Sequence, residues 1–228
     1  MGVHDGHRER IKESFRAHGL EPMSDVNALE FLLFYAIPRR NTNELAHALL
    51  EQFDTLDGVF HASVEELQAV PGIGEHAATL LTLVPQIVKK AAVSKTREIV
   101  QIRSSADAGE YLLPRFQNEQ DEVLLMLCLD ARKCIICCCE MGRGVVNSVE
   151  TSVRRIVEKA LKVKAGSVII AHNHPSGFAI PSREDDAFTK TLYSSLSAVG
   201  VRFIDHIIVA GEDYVSLADT GMLGLYRF

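Results

Sequence analysis

The sequence contains no apolar run long enough to cross a membrane, because such a helix needs about 20 consecutive apolar residues. Residues 1–20 are largely charged and do not have the apolar centre of a secretory signal. We therefore expect a soluble, cytoplasmic protein with no membrane partner.

An excess of positive charge is also missing. The 228 residues include 24 Lys and Arg against 30 Asp and Glu, which gives a formal net charge of −6. A domain dedicated to nucleic acid usually carries a basic face and a high isoelectric point. The composition therefore excludes a strongly basic nucleic-acid module.

Cysteine is scarce and is confined to one region. Four of the five cysteines lie within Cys134–Cys139, and Cys134-x-x-Cys137 has no second cysteine pair beside it. This crowded, odd-numbered set does not fit a secreted disulfide framework, and free cysteine behaves as a small apolar residue in a buried strand. The Pro-Cys-x-x-Cys motif of zinc deaminases is absent as well.

The most informative stretch present is His172-Asn173-His174-Pro175, which follows the apolar run 167–171. Residues i and i+2 of a strand face the same side, so the pattern predicts that His172 and His174 point together. With Asp185 as a third ligand, the spacing fits a catalytic zinc site that keeps one position open. Ser182 and Asp185 also fit a capping box that opens a helix, with or without metal.

His-x-His-Pro, six residues, then Ser-x-x-Asp resembles the JAMM signature of the JAB/MPN metalloproteases. The wording around it is similar to the RadC branch of that family, as are residues 4–10, 37–40 and 205–209. The resemblance implies an α+β fold of the JAB/MPN, cytidine-deaminase-like type, with a mixed sheet flanked by helices. It also implies one zinc ion held by His172, His174 and Asp185.

The family uses a glutamate on an earlier strand as general base, and the resemblance points to Glu140 for this role. Glu150 and Glu158 are rivals. RadC-type chains often have Arg-Glu-Val on the following helix, whereas this chain has Arg154-Arg155-Ile156 there, and the missing glutamate at that position favours Glu140. Ser182 is expected to orient the site or to donate a hydrogen bond to an oxyanion. Asp205 and His206 are expected to fix an imidazole tautomer.

Periodicity predicts two parts of the chain: a helical module in 1–90 and a metal-binding α+β domain in 106–228, joined by a linker in 91–105. Val70 to Gly74 between two helices is similar to a helix-hairpin-helix. Gly72, Gly74 and His76 could then bind a duplex phosphate weakly and without sequence preference, or the segment is simply a tight turn.

Three functions follow from these patterns. The first is a zinc-dependent hydrolase that attacks an amide of an unidentified protein or peptide. The second is a DNA-associated factor of the repair type, and the third is a non-catalytic metal-binding scaffold. A homo-oligomer is compatible with each of them.

Overall fold

The computed structural model describes residues 3–38, 40–144, 149–175 and 177–226. The chain divides into two compact units, the first ending at Val88 and the second beginning at Lys89. Within the described residues, no helix is long and apolar enough to span a membrane.

The first unit is built from helices whose apolar faces meet in one core. The largest fully buried side chains of this core are leucines, and Ser24 and Ser63 cap two of the helices through side-chain hydrogen bonds. The capping box expected at Ser63 is present, with Glu66 as its reciprocal partner. The helices are α1 Val3–His18, α2 Asp25–Ala36, α3 Asn43–Phe53, α4 Leu56–His61, α5 Val64–Ala69 and the first part of α6 Glu75–Lys95.

The hairpin between α5 and α6 depends on a glycine. Gly72 has φ +95°, a conformation that side-chain-bearing residues rarely adopt. A Cβ at this position would lie 2.7 Å from Cδ2 of Leu45. The helix–hairpin–helix arrangement expected from the sequence is therefore present, and both backbone conformation and packing require Gly72.

The segment expected to be a linker has regular local structure. Helix α6 continues to Lys95, and a 3₁₀ turn follows over Thr96–Glu98. The carbonyl of Val100 accepts from the amide of Ile135, and the amide of Ile102 donates to the carbonyl of Lys133. Backbone hydrogen bonds thus give regular structure to a stretch whose composition predicted an irregular linker. The proposed domain boundary at residue 90 stays a prediction.

The second unit is organised around a five-stranded mixed sheet in the order β2-β1-β3-β4-β5, in which only β3 and β4 are parallel. The two strands β1 and β3 are buried along their whole length, which explains their unbroken apolar sequences. The elements are α7 Ser105–Phe116, β1 Val123–Leu129, β2 Ile135–Arg143, α8 Val149–Lys162, β3 Ser167–Asn173, α9 Arg183–Ala198, β4 Arg202–Ala210 and β5 Asp213–Ser216.

The sheet carries a separate core on each face. Met126 and Ile170 pack with α8 and α9, whereas their neighbours Leu127 and Ile169 pack with α7. Alternation along the strands therefore assigns every strand residue to one face or the other. The α+β architecture expected from the sequence is confirmed.

Candidate metal centre

Strand β3 places both histidines at its carboxyl end. His172 is the second-last residue of β3 and lies opposite Leu124 of β1 and Ile208 of β4. His174 follows the strand, and its backbone amide donates to the carbonyl of Val209 over 2.8 Å. This bond extends the alternation by one step, so the two imidazoles share the sheet face covered by α9.

The third group comes from the first turn of α9. Ser182 is the N-cap, and its Oγ accepts from the amide of Asp185 over 3.0 Å. The carboxylate of Asp185 in turn accepts from the Ser182 amide over 2.8 Å and from its hydroxyl over 2.7 Å. The expected capping box is therefore present, and it fixes the Asp185 side chain while leaving one oxygen, Oδ1, facing the histidines.

The three groups converge on one small volume. Nε2 of His172 lies 2.9 Å from Nε2 of His174 and 3.1 Å from Oδ1 of Asp185, and Nε2 of His174 lies 3.5 Å from Oδ2. One ligand atom from each residue falls within 4.8 Å of the others. His172 is almost fully buried, whereas His174 and Asp185 are half-buried, so the cluster has one side open to solvent.

A chain of buried hydrogen bonds decides which nitrogen of His172 carries its proton. Thr189 Oγ1 donates to the carbonyl of Asp185 over 2.6 Å, so its lone pair must accept from Nδ1 of His206, also at 2.6 Å. Burial lowers the pKa of His206, which is therefore neutral and leaves its Nε2 as an acceptor. That Nε2 accepts from Nδ1 of His172 over 2.8 Å, so in the neutral form of His172 the proton is on Nδ1 and Nε2 is free to bind a cation.

The neutral form of His174 also has its proton on Nδ1, but a different hydrogen bond holds it there. Its Nδ1 lies 3.1 Å from the carbonyl oxygen of Phe178, which can only accept, so Nδ1 carries the proton. Both Nε2 atoms then present lone pairs at 2.9 Å to each other and next to a carboxylate. Three acceptors this close repel one another unless a cation lies between them, and two imidazoles with one carboxylate are a donor set that suits a divalent metal.

The electrostatics of Asp185 agree with a cation site. Burial by itself would raise the pKa of the Asp185 carboxyl, but positive charge at the His172 position and the hydrogen bonds from Ser182 outweigh it, and a bound metal ion would supply that positive charge when His172 is neutral. The pKa is therefore held well below its ordinary value, and Asp185 is ionised at neutral pH. The cluster carries one negative charge, which a divalent ion would more than neutralise.

Comparison with known proteins agrees with this geometry. The model of the RadC-like JAB domain matches residues 102–222, more than half of the 228-residue chain, and that of the UPF0758 N-terminal region matches residues 6–79. The chain belongs to the RadC-like JAB domain family.

Its relatives include UPF0758 proteins that match along nearly the whole chain. The protein of Polaromonas sp. is 32% identical over 214 residues, covering 94% of this chain and 96% of the relative. That of Methylibium petroleiphilum is 33% identical with the same coverage. That of Burkholderia cenocepacia is 35% identical over 219 residues, covering 96% of this chain and 85% of the relative. The resemblance expected from the sequence is thus confirmed at the level of the family.

Within this RadC-like JAB domain, only one of the two residues expected to fix an imidazole tautomer contacts the candidate ligands through a described hydrogen bond. His206 contacts His172 directly. Asp205 does not reach the imidazoles through any described hydrogen bond, and its carboxylate accepts from the His206 amide, the Ser216 hydroxyl and the Ala218 amide. Asp205 therefore anchors the β4–β5 region, and Thr189, which sequence reasoning missed, orients the imidazoles instead.

Glu140, expected from the resemblance as the general base, is not brought to the histidines. It lies opposite Leu125, whose side chain packs on the α7 face of the sheet, whereas His172 is on the α9 face. Its strand neighbours Cys139 and Met141 both pack on the face of His172, so alternation turns Glu140 to the opposite face. The Glu140 carboxylate accepts from Arg143 over 2.9 and 3.2 Å, so it is held on that face.

Neither of the two rival glutamates is found beside the histidines among the described side chains. Glu158 is exposed on α8 and forms an ion pair with Arg154, and the side chain of Glu150 lies outside the described residues. Glu122, which sequence reasoning did not identify as a candidate general base, lies immediately before β1. Continuing the β1–β3 register by two residues from the Leu124–His172 pair places it opposite His174. Its side chain is exposed and, by alternation, shares the face of Leu124 and His172.

Proposed function

We propose that this RadC-like JAB domain is a zinc-dependent hydrolase that cleaves an amide bond in a peptide or isopeptide. The observation that carries the proposal is the convergence of His172, His174 and Asp185, with both Nε2 lone pairs directed to one point. Three protein ligands leave a fourth position for water or substrate, which is the pattern of catalytic rather than structural zinc.

A bound zinc ion would supply Lewis acidity, lowering the pKa of water to about 7 and polarising a carbonyl oxygen. The protein's contribution is to hold the ligands in the required state. The relay from Thr189 through His206 keeps the proton of His172 on Nδ1, and the Phe178 carbonyl does the same for His174. Ser182 holds Asp185 in place, and since its hydroxyl proton points to the carboxylate, its role is orientation.

Hydrolysis also needs a group that takes a proton from water and returns it to the leaving amine. Glu122 is the exposed carboxylate that a continued β1–β3 register would bring to the face of the histidines, opposite His174. Directly opposite residues of neighbouring strands have Cβ atoms about 4.5–5.5 Å apart, so a glutamate side chain at this position can reach a water bound beside the histidines. We assign the general-base role to Glu122.

The segment that follows the histidines favours a peptide-like substrate. Phe178 and Ile180 are 79% and 67% exposed, and the Phe178 carbonyl is bonded to His174 at the metal centre. Apolar side chains this exposed beside a polar reaction centre offer a contact for apolar residues of an extended chain. A small polar molecule would leave them unused.

The test compares Glu122→Gln with Glu140→Gln, each assayed for zinc content and for hydrolysis of peptide and isopeptide substrates on the same sample. We expect Glu122→Gln to keep its zinc and to lose hydrolysis by about a hundredfold or more, as for a missing general base. Glu140→Gln is the matched control and should retain both properties.

The reverse result would restore the assignment of Glu140 made from the sequence. Zinc loss in Glu122→Gln would make that residue a ligand. A zinc-loaded wild type that cleaves no amide in a broad panel would contradict the hydrolase proposal and favour a scaffold.

Weak, non-specific binding of duplex DNA by the first unit is a second proposal. Gly74 has no atom within 4 Å of the position where a Cβ would stand, so the backbone at the start of α6 is open to a close ligand. Nη2 of Arg40 lies 4.0 Å from the Cβ position of Gly72 and supplies a cation beside the hairpin. A helix amino terminus with a nearby cation suits a phosphate, although Glu75 limits the affinity.

A further inference from the structure

Three of the five thiols lie together on the α8 face of the sheet. Cys137 and Cys139 alternate onto this face from β2, and Cys128 lies opposite Cys137 on β1. The sulfur atoms of Cys137 and Cys139 are 3.6 Å apart. The buried strand expected for the cluster 134–139 is not observed, because Cys137 and Cys139 are only half-buried on an edge strand, whereas Cys128 on β1 is buried.

Cys139 differs from the other thiols in its surroundings. It lines a surface depression of about 310 Å³ together with Arg155, Lys159 and Lys162 of α8. Lys159 lies close enough to Cys139 for the sulfur to raise the pKa of the lysine. The acidic groups at the rim are already engaged, Glu140 with Arg143 and Glu158 with Arg154. The depression thus presents cationic groups to one accessible sulfur.

The neighbouring thiols are held in the protonated, unreactive form. Burial raises the pKa of Cys128 well above its ordinary value and also raises that of Cys137. Cys138 points to the opposite face, where burial raises its pKa to about 11. Cys139 lines the open depression whereas Cys137 does not, so Cys139 is the thiol of this pair that is placed to meet a peroxide first.

We propose that Cys139 and Cys137 form a peroxide-reactive dithiol that closes to a disulfide. The Cys139 thiolate attacks one oxygen of a hydroperoxide, the O–O bond breaks, and the leaving alkoxide or hydroxide takes a proton from water or from Lys159. The product is a sulfenic acid on Cys139. The Cys137 sulfur then attacks it, the S–O bond breaks, and hydroxide leaves as water with the proton of Cys137. Two thiols and one hydroperoxide give one disulfide, one alcohol and one water.

The bond requires a local movement of strand β2. Residues i and i+2 of a strand are about 6.6 Å apart at Cα, at the upper end of the span that a disulfide bridges. The sulfurs are already adjacent, and β2 is an edge strand next to a bulge at Met141, so the required adjustment meets little resistance. The sites are independent: the dithiol requires no metal and no hydrolytic activity.

The sequence gives a direct test. Trypsin cleaves after Arg132, Lys133 and Arg143, so Cys128 falls on one peptide and Cys134 to Cys139 on another. The full-length Cys134→Ser/Cys138→Ser variant is treated with hydrogen peroxide in the presence of a chelator and digested without reduction. We expect the peptide 134–143 to become lighter by two hydrogen atoms. Adding Cys137→Ser should leave a sulfenic acid on Cys139 that a 1,3-dione probe labels.

A pair of lysine variants tests whether Lys159 speeds the reaction of Cys139 with peroxide. Lys159→Gln should slow the peroxide reaction by roughly tenfold, because it removes the cation whose pKa responds to the Cys139 sulfur, while Lys162→Gln on the same helix should slow it much less. A cross-link between the Cys128 peptide and 134–143 would overturn the pairing. Thiols that stay reduced, or that pass directly to sulfinic acid in the wild type, would overturn the dithiol itself.

Discussion

Replacing Thr189 by Val should weaken metal binding although Thr189 touches no metal ligand side chain. The substitution keeps the shape of this fully buried residue but removes the hydroxyl that bonds Nδ1 of His206 and the carbonyl of Asp185. An orphaned buried donor costs about 1–3 kcal/mol. His206 can avoid that cost by moving its proton to Nε2, which then donates to His172 and drives the proton of His172 onto its metal-binding nitrogen.

Both outcomes should weaken zinc binding. An unpaired donor on His206 destabilises the folded site, and a shifted proton on His172 has to return to Nδ1 before zinc can bind. Groups that orient metal-binding histidines are typically worth 10–100-fold in affinity, or about 1.4–2.7 kcal/mol. We expect a loss of this size in zinc affinity, measured by competition with a chelator of known affinity, while the far-ultraviolet circular dichroism remains that of the wild type.

Thr191→Val is the matched control. Thr191 lies two residues along the same helix, is exposed, and bonds only the carbonyl of Ala187 among the described contacts. It should bind zinc like the wild type. Equal affinity in Thr189→Val and Thr191→Val would refute the relay, and the tautomer of His172 would then need another explanation.

Two other predictions test the buried histidine and the hairpin. Because His206 is buried in the neutral form, only the unfolded chain takes up its proton below the ordinary pKa of about 6.5, so the free energy of unfolding of the metal-free protein should fall as the pH drops below that value. The free energy of unfolding, measured by denaturant titration at several pH values, should depend less steeply on pH in His206→Gln than in the wild type. An unchanged pH dependence would mean that His206 is charged when folded. Duplex binding should be weak, fall steeply with salt, and be lost in Gly74→Asp. No binding at low salt, or binding that survives the substitution, would make the hairpin a turn and nothing more.

Local pattern was sufficient to find the three residues that converge at the candidate metal centre. The strand alternation of His172 and His174 and the capping box at Ser182 and Asp185 are set within a few residues of each position, so short-range rules predict them. The family resemblance supplied the pairing of these two elements, which no local rule contains.

The groups around the ligands depend on contacts between distant parts of the chain. Glu140 lies on the face opposite to His172 because its strand neighbours Cys139 and Met141 both pack in the core on the His172 side, and successive strand residues alternate between faces. Glu122 becomes relevant only when β1 is paired with β3. His206 meets His172 across 34 residues of sequence. An antiparallel register is not visible in either strand alone.

The central claim is that His172, His174 and Asp185 hold one zinc ion. The direct measurement is the metal content of the purified wild type and of His174→Ala by mass spectrometry, after mild dialysis against a weak chelator. We predict one zinc per wild-type chain, none in the variant, and a lower melting temperature for the variant because a bound metal stabilises the native state. Stoichiometric zinc in His174→Ala, or a wild type that takes up no zinc when it is supplied, would contradict the account.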